Sequence, residues 1–202
     1  MREAIDPRDL GPSGAYKLTS GLVVPRPIGW IGSRSADGTR NLAPFSFFNM
    51  VSGSPPTVIF SPGSPKGVPK DTLANVRETG VFTVNIVSGD LARAMNATSA
   101  TVAPDVDEFQ LVGVTPVDGD VVDAPMVAES PASMECRATN FVPVSDQPGA
   151  SVVVFGEIVR YHVRPGVLEG TRVNLDVLDP VGRLSGPGYT RTRDRFDMIR
   201  PD

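Results

Sequence analysis

Glycine and proline punctuate this chain from end to end, 20 of each in 202 residues, and they fall between short apolar runs without any period. Dispersed in this way they read as turn residues and not as a low-complexity tract. A chain interrupted so often favours short strands and many reversals. "PIGWIGSRS" (27–35) has the pattern of a strand and runs into Asp37-Gly38, a strong hairpin signal. "NLAPFSFFNMVS" supplies the return strand, "SGSPP" (52–56) reverses the chain again, and "TVIFS" (57–61) is a short apolar strand. "VFTVNIV" (81–87) alternates, with Phe82, Val84 and Ile86 on one face. "ASMECRATNFVPV" (132–144) and "ASVVVFGEIVRYHVR" (150–164) read as two long strands joined by the turn-rich "SDQPGA". In the second, Val153, Phe155, Val159, Tyr161 and Val163 share a face, which Glu157 interrupts.

The helical signals are short. They cover "AYKLTSGL" (15–22), a segment capped by Asp71 or Thr72 that runs to Thr79 and stops at Gly80, and "DLARAMNATSA" (90–100), capped by Asp90. "DEFQLVGV" (107–114) fits either a helix or a strand. Residues 62–69 hold three prolines and two glycines and suit no regular element, and the chain from about 170 reads as irregular. No internal repeat or linker divides it, so residues 1–202 read as a single domain. Six or more antiparallel strands with a few short helices imply a mainly β small barrel or sandwich.

Composition narrows the chemistry. A net charge of −4 leaves no basic footprint for nucleic acid. One cysteine excludes an intrachain disulfide framework or a thiolate metal cluster, and one histidine leaves little for a metal site or a catalytic triad. Cys136 reads as a small buried hydrophobe and His162 as a solvated or rim residue. "MREAIDPRDLGPSG" carries no apolar h-region and no run approaches a membrane span, so a soluble, cytoplasmic protein is the expectation. Demanding chemistry would need a borrowed cofactor.

Two segments have the character to hold one. In "PKGVPKDTL" the free N–H groups of a helix start, the Lys70 ammonium and the Thr72 hydroxyl would suit a phosphate. A capped surface helix with a solvated lysine fits the same residues. The glycine spacing is not that of a P-loop, and no dinucleotide fingerprint follows any strand. In "RNLAPFSFF" (40–48) three of the nine phenylalanines fall within four positions. An extended backbone sends Leu42, Pro44, Ser46 and Phe48 one way, and Ala43, Phe45 and Phe47 the other. Small residues beside large ones suit a ribbon lying against a flat ring; two-sided burial in a barrel suits them equally.

Taken in order, "GLVVPRPIGWIGSRSADGTRNLAPFSFFNMVSGSPPTVIFS", "KDTLANVRETGVFTVNIV", "MNATSA", "VDEFQLVGVT", "AESPASMECR" and "PVGRLSGPGYTR" resemble the flavin reductase-like family of FMN-binding split-barrel proteins, across about residues 15–195. The resemblance implies an antiparallel Greek-key split β-barrel, a homodimer, and FMN in a groove near the subunit boundary, with FAD as the alternative flavin. It implies an FMN-dependent oxidoreductase, an NAD(P)H:flavin reductase that supplies reduced flavin or electrons to a partner monooxygenase or another acceptor. The alternative is an FMN-binding electron carrier of the flavoredoxin kind, without pyridine-nucleotide activity. Carried onto this chain, the "RPIGW" strand and the "NLAPFSFF" stretch, Pro44 included, would lie along the isoalloxazine and ribityl chain, with main-chain groups around Ala43, Phe45 and Ser46 as its contacts and Asn41 and Trp30 nearby. Ser61, Lys70, Asp71 and Thr72 would receive the phosphate. Met95, Asn96, Arg183 and Tyr189 would close the pocket. No metal is implied, and no side-chain acid or base: hydride transfer to a flavin asks for stacking over its ring.

Overall fold

The structure, a computed structural model, describes residues 2–63, 70–147 and 150–201. The expected irregular segment 64–69 and the tip of "SDQPGA" at 148–149 lie outside the described residues.

Helix α1 (Pro7–Leu22) starts where Asp6 accepts from the Arg8 N–H, and it bends at Gly11, whose φ of 62° is open to a residue without a Cβ. It is longer than the expected 15–22. Strands β1 (Arg26–Pro27) and β2 (Gly29–Arg34) follow. The Asp37-Gly38 turn leads into β3 (Arg40–Phe45), then come β4 (Phe48–Gly53) and β5 (Pro56–Phe60). Helix α2 (Asp71–Thr79) ends on Gly80 in the left-handed region, as expected. Its N-cap is Lys70 and not the expected Asp71 or Thr72, and a lysine, having no acceptor, gives no side-chain cap.

Strand β6 (Val81–Ile86) leads to a 3-10 turn (Gly89–Leu91) and α3 (Ala92–Ala97), and neither has the expected Asp90 cap. "DEFQLVGV" resolves as α4 (Glu108–Val112), because Asp107 accepts from the Phe109 and Gln110 amides and Gly113 supplies the left-handed stop. Strands β7 (Pro116–Asp118), β8 (Pro125–Val127), β9 (Ala132–Pro143) and β10 (Val152–Val163) come next. The tail, expected to be irregular, carries β11 (Leu168–Glu169), β12 (Arg172–Val173), α5 (Leu175–Leu178), β13 (Val181–Arg183) and β14 (Tyr189–Arg191).

Seven strands form one antiparallel sheet in the order β3-β2-β6-β9-β10-β5-β4. The expected single return strand is therefore two strands. β3 and β4 are joined by Ser46 and Phe47 alone, yet they stand at opposite ends of this order. A two-residue link spans only about 10 Å, so the sheet must curl until its edges meet. At the seam the Phe48 ring fills the space left by Gly29, where a Cβ would lie 2.7 Å from Phe48 Cδ2. The molecule is the split β-barrel that the sequence led us to expect.

The barrel interior holds Ile31, Ala43, Phe45, Phe60, Phe82, Val84, Val154 and Ile158 among others, with the Phe60 ring 5.2 Å from Phe45 and 5.1 Å from Phe82. A second core outside the wall packs Trp30, Leu42, Met95, Phe109 and Val181. Strands β2 and β3 are thus buried on both faces. On β10 the buried face is Val152, Val154, Gly156 and Ile158, the reverse of the expected one; Val159 and Tyr161 are exposed. Phe82 occupies the space beside Gly156, so a glycine marks the inner face there. No helix among the described residues is long and apolar enough to cross a membrane.

Candidate functional site

Alternation along β3 sends Phe45 into the barrel and Pro44 to the opposite side. The chain then leaves the sheet at Ser46, whose side chain joins Pro44 in the wall of a cleft of about 640 Å³. Helix α1 presents Ser13, Tyr16, Lys17 and Ser20 to this cleft, spaced three and four residues apart on one face. Met95 and Ser99 come from α3 and its end, and the hairpin of β13 and β14 adds Arg183, Ser185 and Tyr189. Arg26 and Ile28 also line it.

Arg26 holds these walls together. Its side chain is 8% exposed. Its Nη1 donates to the Ser20 and Val23 carbonyls at the end of α1, its Nη2 to the Leu184 carbonyl at 3.1 Å, and its Nε to Ser46 Oγ at 3.5 Å. Carbonyls satisfy its hydrogen bonds without cancelling its charge. Arg183 lies 4.6 Å over the Tyr189 ring, donates to the Tyr189 hydroxyl, and donates to the Gly186 carbonyl at 2.6 Å. Tyr189 donates in turn to Asn96 Oδ1 at 3.0 Å. Met95, Asn96, Arg183 and Tyr189, far apart in sequence, therefore form one corner. No aspartate or glutamate lines the cleft among the described residues, and Lys17, Arg26 and Arg183 make no ion pair there.

The remaining expected site residues are placed differently. Trp30 is fully buried and its Nε1 donates to Thr98 Oγ1 at 2.9 Å, so it backs the wall and presents nothing to the cleft. Ala43 and Phe45 give their side chains to the barrel core, which leaves for a ligand the backbone groups that were expected to contact it. Asn41 and Thr72 are buried and bonded to each other, with Thr72 Oγ1 donating to Asn41 Oδ1 at 2.7 Å. The Thr72 proton expected for a phosphate is therefore committed to the interior. Lys70 and Asp71 are half-buried at the start of α2, and the Ser61 amide donates to the Phe47 carbonyl at 2.8 Å. That bond joins the strand after the seam to the approach to α2.

Sequence reasoning missed Glu108. Its Oε1 accepts from Asn41 Nδ2 at 3.0 Å and its Oε2 from the Leu42 amide at 3.1 Å. Burial pushes its carboxyl above the usual glutamate value, only partly offset by those donors, and the Asp71 charge adds to the rise. The cleft-facing stripe Ser13–Ser20 was also missed, although its helical spacing could have revealed it. Arg26 lies within the family-like segment "GLVVPRPIGW", where nothing local marks it as the residue that ties the walls together.

His162, expected to be solvated or at the rim, is half-buried, and its Nε2 donates to Glu135 Oε1 at 2.6 Å. Asp120, Glu135 and His162 lie close enough together to suggest a metal. Glu135, however, also accepts from the amides of Asp120, Val121 and Val122, so each of its oxygens already takes two donors. The group is a clamp on the 120–122 loop. Cys136 is buried, and burial pushes its thiol above the ordinary range.

Comparison with known proteins agrees with this architecture. The family described as flavin reductase like domain matches residues 21–177. An uncharacterized protein of Aquifex aeolicus is 42% identical over 178 residues, 87% of this chain and 89% of that protein. The crystal structure of nitrilotriacetate monooxygenase component B from Bacillus cereus superposes with a TM-score of 0.95 at 32% identity, covering 98% of this chain and 99% of that one. Pseudomonas fluorescens 2-nitrobenzoate 2-nitroreductase NbaA superposes with a TM-score of 0.89 at 31% identity, covering 98% and 96%.

Proposed function

Because this chain belongs to the flavin reductase-like domain family, we propose that it is an NAD(P)H-dependent flavin oxidoreductase that holds FMN along Pro44–Phe47, with the phosphate toward Ser61 and Lys70. The observation that carries this reading is the cationic cleft beside Ser46, which no acid lines among the described residues. Its volume, about 640 Å³, suits a tricyclic ring with a second ligand above it. The fit is chemical as well: serine hydroxyls and tyrosine rings suit the flavin ring, and the unneutralised cations suit a phosphorylated donor above it, the flavin's own phosphate lying outside this cleft toward Ser61 and Lys70. When bound, the flavin supplies the two-electron redox chemistry that the chain's own side chains lack.

The residues have separable tasks. Pro44 offers a flat apolar surface with no N–H of its own. Ser46 Oγ accepts from Arg26, which leaves the serine proton to donate to a ring edge. The start of α2, which has no side-chain cap among the described residues, offers its first-turn amides and the Lys70 charge to a phosphate dianion. Met95 and the Arg183–Tyr189 corner limit water above the ring.

The likeness to a monooxygenase component B supports delivery of reduced flavin to a partner monooxygenase. The likeness to a nitroreductase supports a nitroaromatic acceptor as the other outlet. A homodimer fits the exposed apolar run of Phe47, Met50 and Val51 beside Tyr16, which a second copy would cover. Sedimentation at micromolar concentration should give the dimer mass, and a monomer would contradict this assembly.

Anaerobic stopped-flow mixing with NADH and with NADPH in the presence of FMN tests the activity. Oxidation of a donor well above the buffer rate is expected. Tightly held FMN that neither donor reduces would favour the electron-carrier alternative.

A further inference from the structure

We propose that Lys17, with Ser13 one turn before it and Arg183 across the cleft, forms a subsite for the 2′-phosphate of the donor, so that the protein selects NADPH over NADH. This rests on the reductase reading above and adds the identity of the donor to it.

The first support is where the walls come from. The family match spans 21–177, whereas Ser13, Lys17 and Arg183 lie outside it. This half of the cleft is therefore built outside the stretch the family match covers, by helix α1 and the β13–β14 hairpin. The walls also meet: Ser185 Oγ lies 3.4 Å from where a Cβ on Gly21 would stand, so α1 and the β13–β14 hairpin close one end.

The second support is charge. A donor without a 2′-phosphate presents a ribose diol, and a carboxylate is the side chain that accepts from such a diol. This cleft has none among the described residues. A 2′-phosphate dianion asks instead for a cation with hydroxyls beside it.

The third is the availability of donors. Arg26 is buried with four of its five N–H groups engaged, so it raises the potential while leaving a single Nη2 proton for a ligand. Arg183 is braced by Tyr189 and Gly186. Lys17 is exposed and makes no hydrogen bond or ion pair with its side chain among the described residues. Its ammonium is free to meet a ligand over a floor made positive by Arg26.

Calorimetric titration of the FMN-loaded protein with 2′,5′-ADP and with 5′-AMP reads this subsite without turnover. The wild type should bind 2′,5′-ADP at least about tenfold more tightly, the usual size of one charge-assisted contact, and Lys17→Ala should remove most of that margin while leaving 5′-AMP unchanged. Lys17→Arg should retain it. The ratio of kcat/KM for NADPH over NADH should move in parallel. Equal affinity for the two fragments overturns the proposal. So does displacement of FMN, but not riboflavin, by 2′,5′-ADP, since the cations would then serve the flavin's own phosphate. If the fragment margin holds but neither donor is oxidised, the subsite stands and only the reductase reading fails.

Discussion

The Thr72 hydroxyl donates to Asn41 Oδ1 across 2.7 Å, and that bond ties the first turn of α2 to the edge strand β3. Asn41 Oδ1 also accepts from Ser33 Oγ at 3.2 Å, and its Nδ2 donates to Glu108. One asparagine therefore locks three elements around the two ends of the proposed flavin site. Asn41→Ala would strand buried partners on each of them. Urea unfolding should show a loss on the order of 3 kcal/mol, at 1–3 kcal/mol for each buried group left unsatisfied. Flavin affinity should fall with it.

Two buried carboxylates should shift acid stability in opposite senses. Burial pushes Glu135 up, but His162 and three amides outweigh it and hold the group below its usual value near 4.5. A depressed value in the folded state contributes stability above pH 4.5 that is lost as pH falls through the folded value. Glu108 is raised by burial, so its ionisation subtracts stability as pH rises past its unfolded value of 4.5. Urea midpoints measured from pH 3 to 7 should therefore show Glu135→Gln flattening the acid limb, and Glu108→Gln gaining on the wild type as pH rises.

At the phosphate end, Lys70→Ala should weaken FMN by about 1.5–3 kcal/mol and riboflavin hardly at all, because only FMN presents the dianion. Fluorescence titration of both flavins measures the difference. Equal losses would put the phosphate elsewhere.

Gly32 lies under the Pro125 carbonyl, where an added Cβ would come within 2.1 Å of that oxygen. The carbonyl is itself held by Thr83 Oγ1 at 2.5 Å and has little room to retreat. Gly32→Ala should cost about 3 kcal/mol or more. Gly38→Ala, in the open hairpin turn at φ 93°, should cost only about 1 kcal/mol of backbone strain. Thermal melts of the two variants would order them.

Local chemistry made much of the fold legible. The Asp37-Gly38 turn, the Gly80 stop and the alternation of "VFTVNIV" all act within a few residues, so a linear reading finds them. The order of the family segments carried the barrel itself. The division of "NLAPFSFFNMVS" was not legible, because its two halves differ only in which distant strand each one pairs with. The inner face of β10 was misread for a related reason. Both its faces are apolar, and Gly156 is an inner position only because Phe82, from another strand, fills the space beside it.

The sequence by itself therefore determined that this chain is turn-rich and mainly β, with an aromatic ribbon and a lysine-bearing helix start, since those follow from residue type and short spacing, while the barrel followed from the resemblance to a family. Only the tertiary structure decided that Thr72 turns inward and that Glu108 and Asn41 brace the ribbon. It also decided that Lys17, Arg26 and Arg183 share one cleft that no acid lines among the described residues. Which charges face each other depends on closure of the sheet and docking of both chain ends, and no local signal encodes those distances.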